Sequence, residues 1–293
     1  MKADWRGRRV LSVVGVVFVS LVVALAGAVA LGSHRWNSET RELRERLVVA
    51  RAPVRPKTVD LRELEGLPRP VQRFFRTALT DGQQMIAEVR IRHRGTFNMG
   101  EATDQWKPFT SDQQIIAQRP GFDWDARIAI APGLHARVHD AYIAGEGLLH
   151  ASLLGLWSLA NVRGTGALAA GELMRFCAEA TWYPTVLLPS QGVRWRPVDD
   201  SSATATLSDG SVSVTLLFTF NMSGLIESVR AEARGRMVSG KITPARWEGR
   251  FWNYSERDGM HIPMEGEVSW LLPEGKKPYW RGHISEIAYE FMH

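Results

Sequence analysis

The chain has 293 residues, 45% of them hydrophobic, and a formal net charge of +5. That length allows one large core or two small ones, and a single cysteine, Cys177, excludes an intrachain disulfide. The charge is uneven: residues 1–76 carry 15 Lys/Arg against 7 Asp/Glu, residues 77–293 carry 21 against 24, so the mildly acidic main body argues against nucleic-acid binding.

The first element is Val10–Leu31, a run of 22 residues without a charge. At ~1.5 Å per residue it is long enough to cross a hydrocarbon core of ~30 Å. Lys2, Arg6, Arg8 and Arg9 precede it against Asp4 alone, which predicts a cytoplasmic N-terminus and an extracytoplasmic remainder. Ala28-Val29-Ala30 fits a signal-peptide cleavage pattern. A signal h-region, however, has only ~7–15 apolar residues, so an uncleaved single-pass anchor in the cell membrane is expected. Arg8-Arg9-Val10-Leu11 is faintly similar to a twin-arginine export signal, and no cysteine lies nearby for a lipoprotein anchor. The expected divisions are a basic stub at 1–9, the anchor at 10–31, a helical neck and linker at 32–58, and the extracytoplasmic domain at 59–293.

Arg35–Val49 reads as a polar helix, its basic excess placed beside anionic headgroups or simply solvated. Ala52-Pro53-Val54-Arg55-Pro56-Lys57 breaks it. Asp60 can cap Leu61–Glu65, and Val71, Phe74, Phe75 and Leu79 then fall at helical spacing up to Asp81-Gly82.

From Gln83 the period becomes two. Val89, Ile91, His93, Gly95 and Phe97 alternate with charged residues; Phe122, Trp124, Ala126 and Ile128 alternate with Asp123, Asp125 and Arg127; Val212, Val214, Leu216, Phe218 and Phe220 do likewise. Such alternation predicts antiparallel strands with one buried and one wet face. Further strands are expected at 111–118, 134–143, 193–198, 203–208, 226–234, 246–255, 264–272 and 279–290. Asp209-Gly210 is a hairpin signal, and Asn221–Gly224 and Asp258-Gly259 are further turns. Gly166–Tyr183 reads as a helix with Leu168, Leu173, Phe176, Cys177 and Ala180 on one face and Glu172, Arg175 and Glu179 on the other. Cys177 is then a buried structural thiol. Four or five strands, one helix and six or seven strands predict an α+β domain. Its large curved antiparallel sheet, a half-barrel, would hold the central helix on its concave face.

Several motifs resemble a bacterial family of domains of unknown function. They are Leu67-Pro68-Arg69-Pro70-Val71-Gln72-Arg73-Phe74-Phe75, Phe122–Arg127, Asp140–Gly147, Leu173–Pro184, Trp247–Phe251, Gly259–Pro263 and Tyr279–Gly282. The resemblance spans about 67–290 and implies no catalytic residues. More loosely, the strand–helix–strand order is similar to the half-barrel of periplasmic lipoprotein carriers such as LolA and LolB, which implies a cavity for acyl chains.

Individual chemistries are thinly supported. Gly164-Thr165-Gly166-Ala167-Leu168-Ala169 fits a dinucleotide fingerprint but lacks a βαβ setting. His135 and His139 lie in a β-like stretch, where residues four apart are ~13 Å from each other, too far for one metal ion. Glu146 with His150 is a candidate acid–base pair, and Asp123 with Asp125 is a candidate carboxylate pair that more simply marks a wet face. No catalytic residue, cofactor or metal is assigned. Nine tryptophans between Trp106 and Trp280 suit either an apolar ligand pocket or a β-core.

The leading expectation is a membrane-anchored binding domain for a hydrophobic ligand, possibly a lipid. Trp124, Tyr142, Trp182 and Tyr183 would line its site, and Arg175 and Glu179 would supply the polar contact. The alternatives are an envelope protein–protein interaction module with a solid core and a carboxylate-dependent hydrolase.

Overall fold

The computed structural model describes residues 3–101, 103–238 and 240–292. Lys2 and the side chains of Arg6, Arg8 and Arg9, on which the expected orientation rests, lie outside the described set. Ala3–Val49 form one helix, α1. The apolar run and the polar stretch after it are continuous because no helix breaker stronger than Gly32 occurs between them, and the first proline is Pro53. Val13 to Leu25 are bare, and α1 is long and apolar enough to cross a membrane.

Six strands follow the linker: β1 (Ile86–Asn98), β2 (Trp106–Ile116), β3 (Gly121–Ala131), β4 (Leu134–Ile143), β5 (Glu146–Leu153) and β6 (Trp157–Gly164). The central helix α3 (Ala167–Glu179) comes next, after the short α2 (Arg69–Ala78) upstream. Seven strands complete the chain: β7 (Arg194–Pro197), β8 (Ser202–Asp209), β9 (Val212–Phe220), β10 (Ile226–Val238), β11 (Lys241–Arg257), β12 (Met260–Leu272) and β13 (Gly275–Phe291).

All thirteen strands form one antiparallel sheet in the order β6-β5-β4-β3-β2-β1-β13-β12-β11-β10-β9-β8-β7. The first and last strands pair at its centre, Ile91 opposite Ile287 and Gly95 opposite Gly282. The two edge strands are therefore β6 and β7, and the segment joining them carries α3 across the concave face. One helix thus covers both halves, meeting β4 and β5 on one side and β9 and β10 on the other.

Two features let so wide a sheet wrap. Gly95, Gly282 and Gly266 form a row across β1, β13 and β12, over which the Trp280 indole lies; glycine rows permit sharp bending. Twist of roughly 20–25° per strand also accumulates. Arg119, in the β2–β3 turn, thereby reaches Asp209 at the β8–β9 turn, and Asp209 accepts a 2.9 Å bond from the Tyr142 hydroxyl.

Segment α2 packs its Phe74 and Phe75 rings against Phe220 and Trp195, closing the β7–β9 end. Asp60 caps a 3-10 turn at Leu61–Leu64. Strands β5 and β6 carry no clear alternation in the sequence. In β5 both faces are covered: Leu148 and His150 face α1, while Gly147 and Leu149 face α3.

The convex face of β2–β5 is dry, contrary to the expected wet face. Gly32, Trp36, Thr40, Leu43 and Leu47 of α1 recur every three or four residues and are buried against it. Leu43 and Leu47 pack with Ile116, Ala141, Ile143 and Leu148. Arg44 bonds Asp112 at 2.6 Å and Asp123 at 3.1 Å. Asp123 and Asp125 therefore lie under α1, Asp123 fully buried, and neither is placed for hydrolysis in a cleft. Burial pushes the Asp123 carboxyl up to about 6 despite His139 and Arg44 beside it.

Candidate functional site

Between α3 and the concave sheet lies a cavity of about 130 Å³. Rings form a large part of its wall: Trp124 from β3, Trp247 and Phe251 from β11, Trp280 from β13, and Trp182 just after α3. These pack on one another, Trp182 against Phe251 at 5.9 Å and against Trp280 at 6.4 Å between centroids. A second space of about 340 Å³ adjoins it, sharing Phe97, Asp140, Leu149, Arg234 and Tyr279, and extends past the N-terminal turn of α3. The enclosed part is larger than one water, and with its extension it falls in the range of small-molecule pockets.

Charges enter from two directions. On α3, Arg175 donates to Glu179 at 2.7 Å and to Asp140 on β4 at 2.8 Å. Its guanidinium sits 4.7 Å from the Trp124 ring centre and 5.0 Å from that of Phe122, a cation–π arrangement. Burial opposes the Arg175 charge, but Glu179 and Asp140 outweigh it and hold the group protonated. Glu179 also accepts from Gln113 at 2.7 Å.

From the sheet comes Arg234. It donates to the Gly171 carbonyl at 3.1 Å and to the Tyr279 hydroxyl at 3.2 Å, and lies 3.6 Å from Glu172. Trp247 Nε1 shares the same hydroxyl at 2.9 Å. A register shift between Ala231 and Arg234 turns this arginine inward; without the bulge the strand's alternation would aim Ala233 there.

Two arginines thus face three carboxyls, Asp140, Glu172 and Glu179. Burial, with Asp140 adding, pushes Glu172 up to about 8, so the buried set balances with Glu172 protonated. A raised folded-state pKa contributes stability below the unfolded value and loses it as pH rises. Wild-type stability is therefore expected to fall between about pH 5 and pH 8 relative to Glu172→Gln, which stays neutral. Melting temperatures of the two proteins across that window are the check, with the curves converging at the acid end. On the apolar side, burial first, then Arg175 and His283, holds His93 neutral down to about 3.

The structure brings Trp124, Arg175, Glu179 and Trp182 together around the cavity. Tyr142 and Tyr183 do not line it. Tyr142 bonds Asp209, and Tyr183 is buried against α3 with its hydroxyl on the Phe176 carbonyl at 2.8 Å. Tyr183, just past the end of α3, packs beneath the helix instead of facing the cavity, and Tyr142, on β4, is turned to the carboxylate of the β8–β9 turn. Helix α3 ends at Glu179, and 3-10 turns carry the chain through Trp182 to Gln191. Its charged face is buried toward the cavity rather than solvated. Burial pushes the Cys177 thiol up to about 12, as suits an inert structural group.

The other sequence candidates separate. Glu146 pairs with Arg46 at 2.7 Å, while His150 pairs with Glu39 at 2.9 Å, so they form no acid–base couple. His135 and His139 do not converge: His135 contacts Arg127, whereas His139 contacts Thr40. Gly164 and Gly166 end β6 and start α3, Gly166 in the left-handed region at φ 72°. The sequence reading does not single out Asp140, Glu172, Arg234, Trp247 or Tyr279; Asp140 carries a signal, a charge in the inward-facing register of β4, whereas the bulge that turns Arg234 inward leaves none.

No curated protein matches the chain. A LolA superfamily protein from Nitrosomonas europaea, known from its crystal structure, aligns over 76% of this chain and 93% of its own at 13% identity, with a TM-score of 0.39. The model of a family of unknown function, DUF6920, matches residues 65–289, most of the domain that contains the sheet, the helix and the cavity, and the chain belongs to that family.

Proposed function

We propose that the protein is a membrane-anchored, extracytoplasmic binding domain for a hydrophobic ligand with a polar end. The observation that carries this reading is the ring-lined cavity between α3 and the sheet, with the Arg175 and Arg234 clusters at its boundary. Apolar walls and a few fixed polar groups are the ordinary makeup of a small-molecule site. The rings take the tail, and the arginines orient a carboxylate or phosphate head. The anchor supports a ligand drawn from the bilayer. Gly32, one residue past the apolar run, packs against the β5–β6 turn at Leu154 and Leu156. The adjoining Trp157 and Leu159 are 59% and 61% exposed, and such residues suit a bilayer interface.

The test is mass spectrometry of organic extracts from the purified full chain, followed by titration with a fluorescent fatty acid. A co-purifying amphiphile and saturable probe binding are expected. Val268→Trp, which fills the cavity from β12, is expected to weaken the probe at least tenfold while circular dichroism stays unchanged. An empty protein that binds no probe, or undiminished binding by Val268→Trp, rejects the reading.

A further inference from the structure

A second site lies outside the cavity, on the opposite face of the sheet. His139 on β4 and His150 on β5 stand directly across from each other in the strand register, and Glu39 of α1 closes over them. Suitable ligand atoms of the three residues all lie within 4.8 Å of one another. His150 Nδ1 is 2.9 Å from Glu39 Oε1 and 3.0 Å from Oε2. Trp36 covers both imidazoles, stacking on His139 at 4.2 Å and tilted over His150 at 5.1 Å. Metals bind in the imidazole plane, so a ring stacked on the face leaves the coordinating lone pairs free.

The hydrogen bonding of His139 is the independent observation. Its Nε2 is 2.9 Å from Thr40 Oγ1 and 3.8 Å from Asp125 Oδ2. Thr40 has one hydrogen, and both Asp125 Oδ2 and the Trp36 carbonyl lie 3.1 Å from its oxygen as acceptors. With the hydroxyl donating to one of these it accepts from His139, and the Asp125 carboxylate 3.8 Å from Nε2 favours the ring proton on that nitrogen. Nδ1 is left as a bare lone pair. It is buried without any partner, in a residue that is itself fully buried. A buried acceptor with no donor is costly. A histidine whose far nitrogen is held by a hydroxyl and a carboxylate is the arrangement found behind metal ligands.

We propose that Glu39, His139 and His150 bind a divalent transition-metal ion of the Zn²⁺ type. Two imidazole nitrogens and one carboxylate are a donor set Zn²⁺ favours, with the fourth position left to water. Bonds of ~2.0–2.1 Å require ligand atoms about 3.3 Å apart in a tetrahedron, so the His150–Glu39 pair opens slightly from 2.9 Å and His139 closes from a separation of no more than 4.8 Å. Glu39 also borders an open cleft of about 470 Å³ beside His34 and Arg163, which provides a route for the ion. The metal would tie α1, at the point where it leaves the membrane, to β4 and β5. Residues four apart on one strand could not reveal this site, because its two histidines are neighbours across strands.

The test uses the untagged full chain in detergent, titrated with Zn²⁺ against a chromophoric chelator, and then with Co²⁺ for its visible ligand-field bands. One equivalent bound at micromolar affinity or tighter is expected, with Co²⁺ bands of low coordination number. Glu39→Gln and His150→Gln, both partly exposed positions, are expected to weaken Zn²⁺ at least tenfold. Zn²⁺ is also expected to raise the melting temperature of the wild type and not of either variant. No binding, or binding and stabilisation that survive both substitutions, overturns the proposal.

Discussion

Arg175→Leu is expected to remove about 3–5 kcal/mol of stability, the usual cost of deleting one partner from a buried charge group. The side chain lies between Asp140 and Glu179 with both bonds under 3 Å. Leucine fills part of the space over Trp124 and Phe122 but leaves two carboxylates facing each other away from water. Against a typical total of ~5–15 kcal/mol this is a large fraction. Denaturant unfolding of the full chain in detergent, followed by tryptophan fluorescence, measures it. The defect is expected to shrink on acidification, because protonating either carboxyl removes the uncompensated charge. Arg175→Lys retains the charge but cannot fork between two carboxylates, so it should lose less than leucine. Combining Arg175→Leu with Asp140→Asn and Glu179→Gln should recover most of the loss. A change below ~1 kcal/mol for Arg175→Leu would mean that water reaches these charges freely, and the cavity would then be an open cleft.

A chain starting at Ser33 is expected to fold as a soluble monomer, whereas one starting at Arg51 is expected to aggregate or melt at least about 10 °C lower. Val13 to Gly27 are exposed, and closer contact with the domain begins near the end of the apolar run, with Gly32 against Leu154 and Leu156. The stretch after it is part of the core. Trp36, Leu43 and Leu47 are each about 2% exposed or less, and truncating one such side chain costs ~2–5 kcal/mol. Deleting the segment also strips Asp123 of Arg44 and bares the apolar patch of Ile116, Ala141, Ile143 and Leu148. For a domain of this size each kcal/mol is ~2–4 °C in Tm, which sets the expected drop. Size-exclusion profiles and thermal melts of the two fragments decide it; equal behaviour would show that α1 merely rests on the sheet.

Local pattern was enough for much of the architecture. Strands such as β3 and β9, with one residue in two apolar, announce themselves, and the Asp209-Gly210 turn between β8 and β9 lies where its residues require. The central helix was legible from Leu173, Phe176 and Cys177. Where both faces of a strand are covered, as in β5, alternation disappears and the element is not legible from pattern. The same cause hides the convex-face contacts: Asp123 and Asp125 alternate like solvated residues, but Asp123 meets Arg44, seventy-nine residues away, and Asp125 meets Trp36 and Thr40.

Most strands, the central helix and the apolar run are legible in the chain alone. Periodicity and length act over a few residues, and short stretches suffice to read them. Which partner each polar residue meets is set by the assembled fold. The pairing of β1 with β13 brings α3 across the sheet, so Arg175 and Arg234 converge on one cavity. The unbroken helix from the span onward lays Trp36, Glu39 and Arg44 on the sheet's back. These meetings depend on curvature and on contacts between distant segments, and no local pattern encodes them.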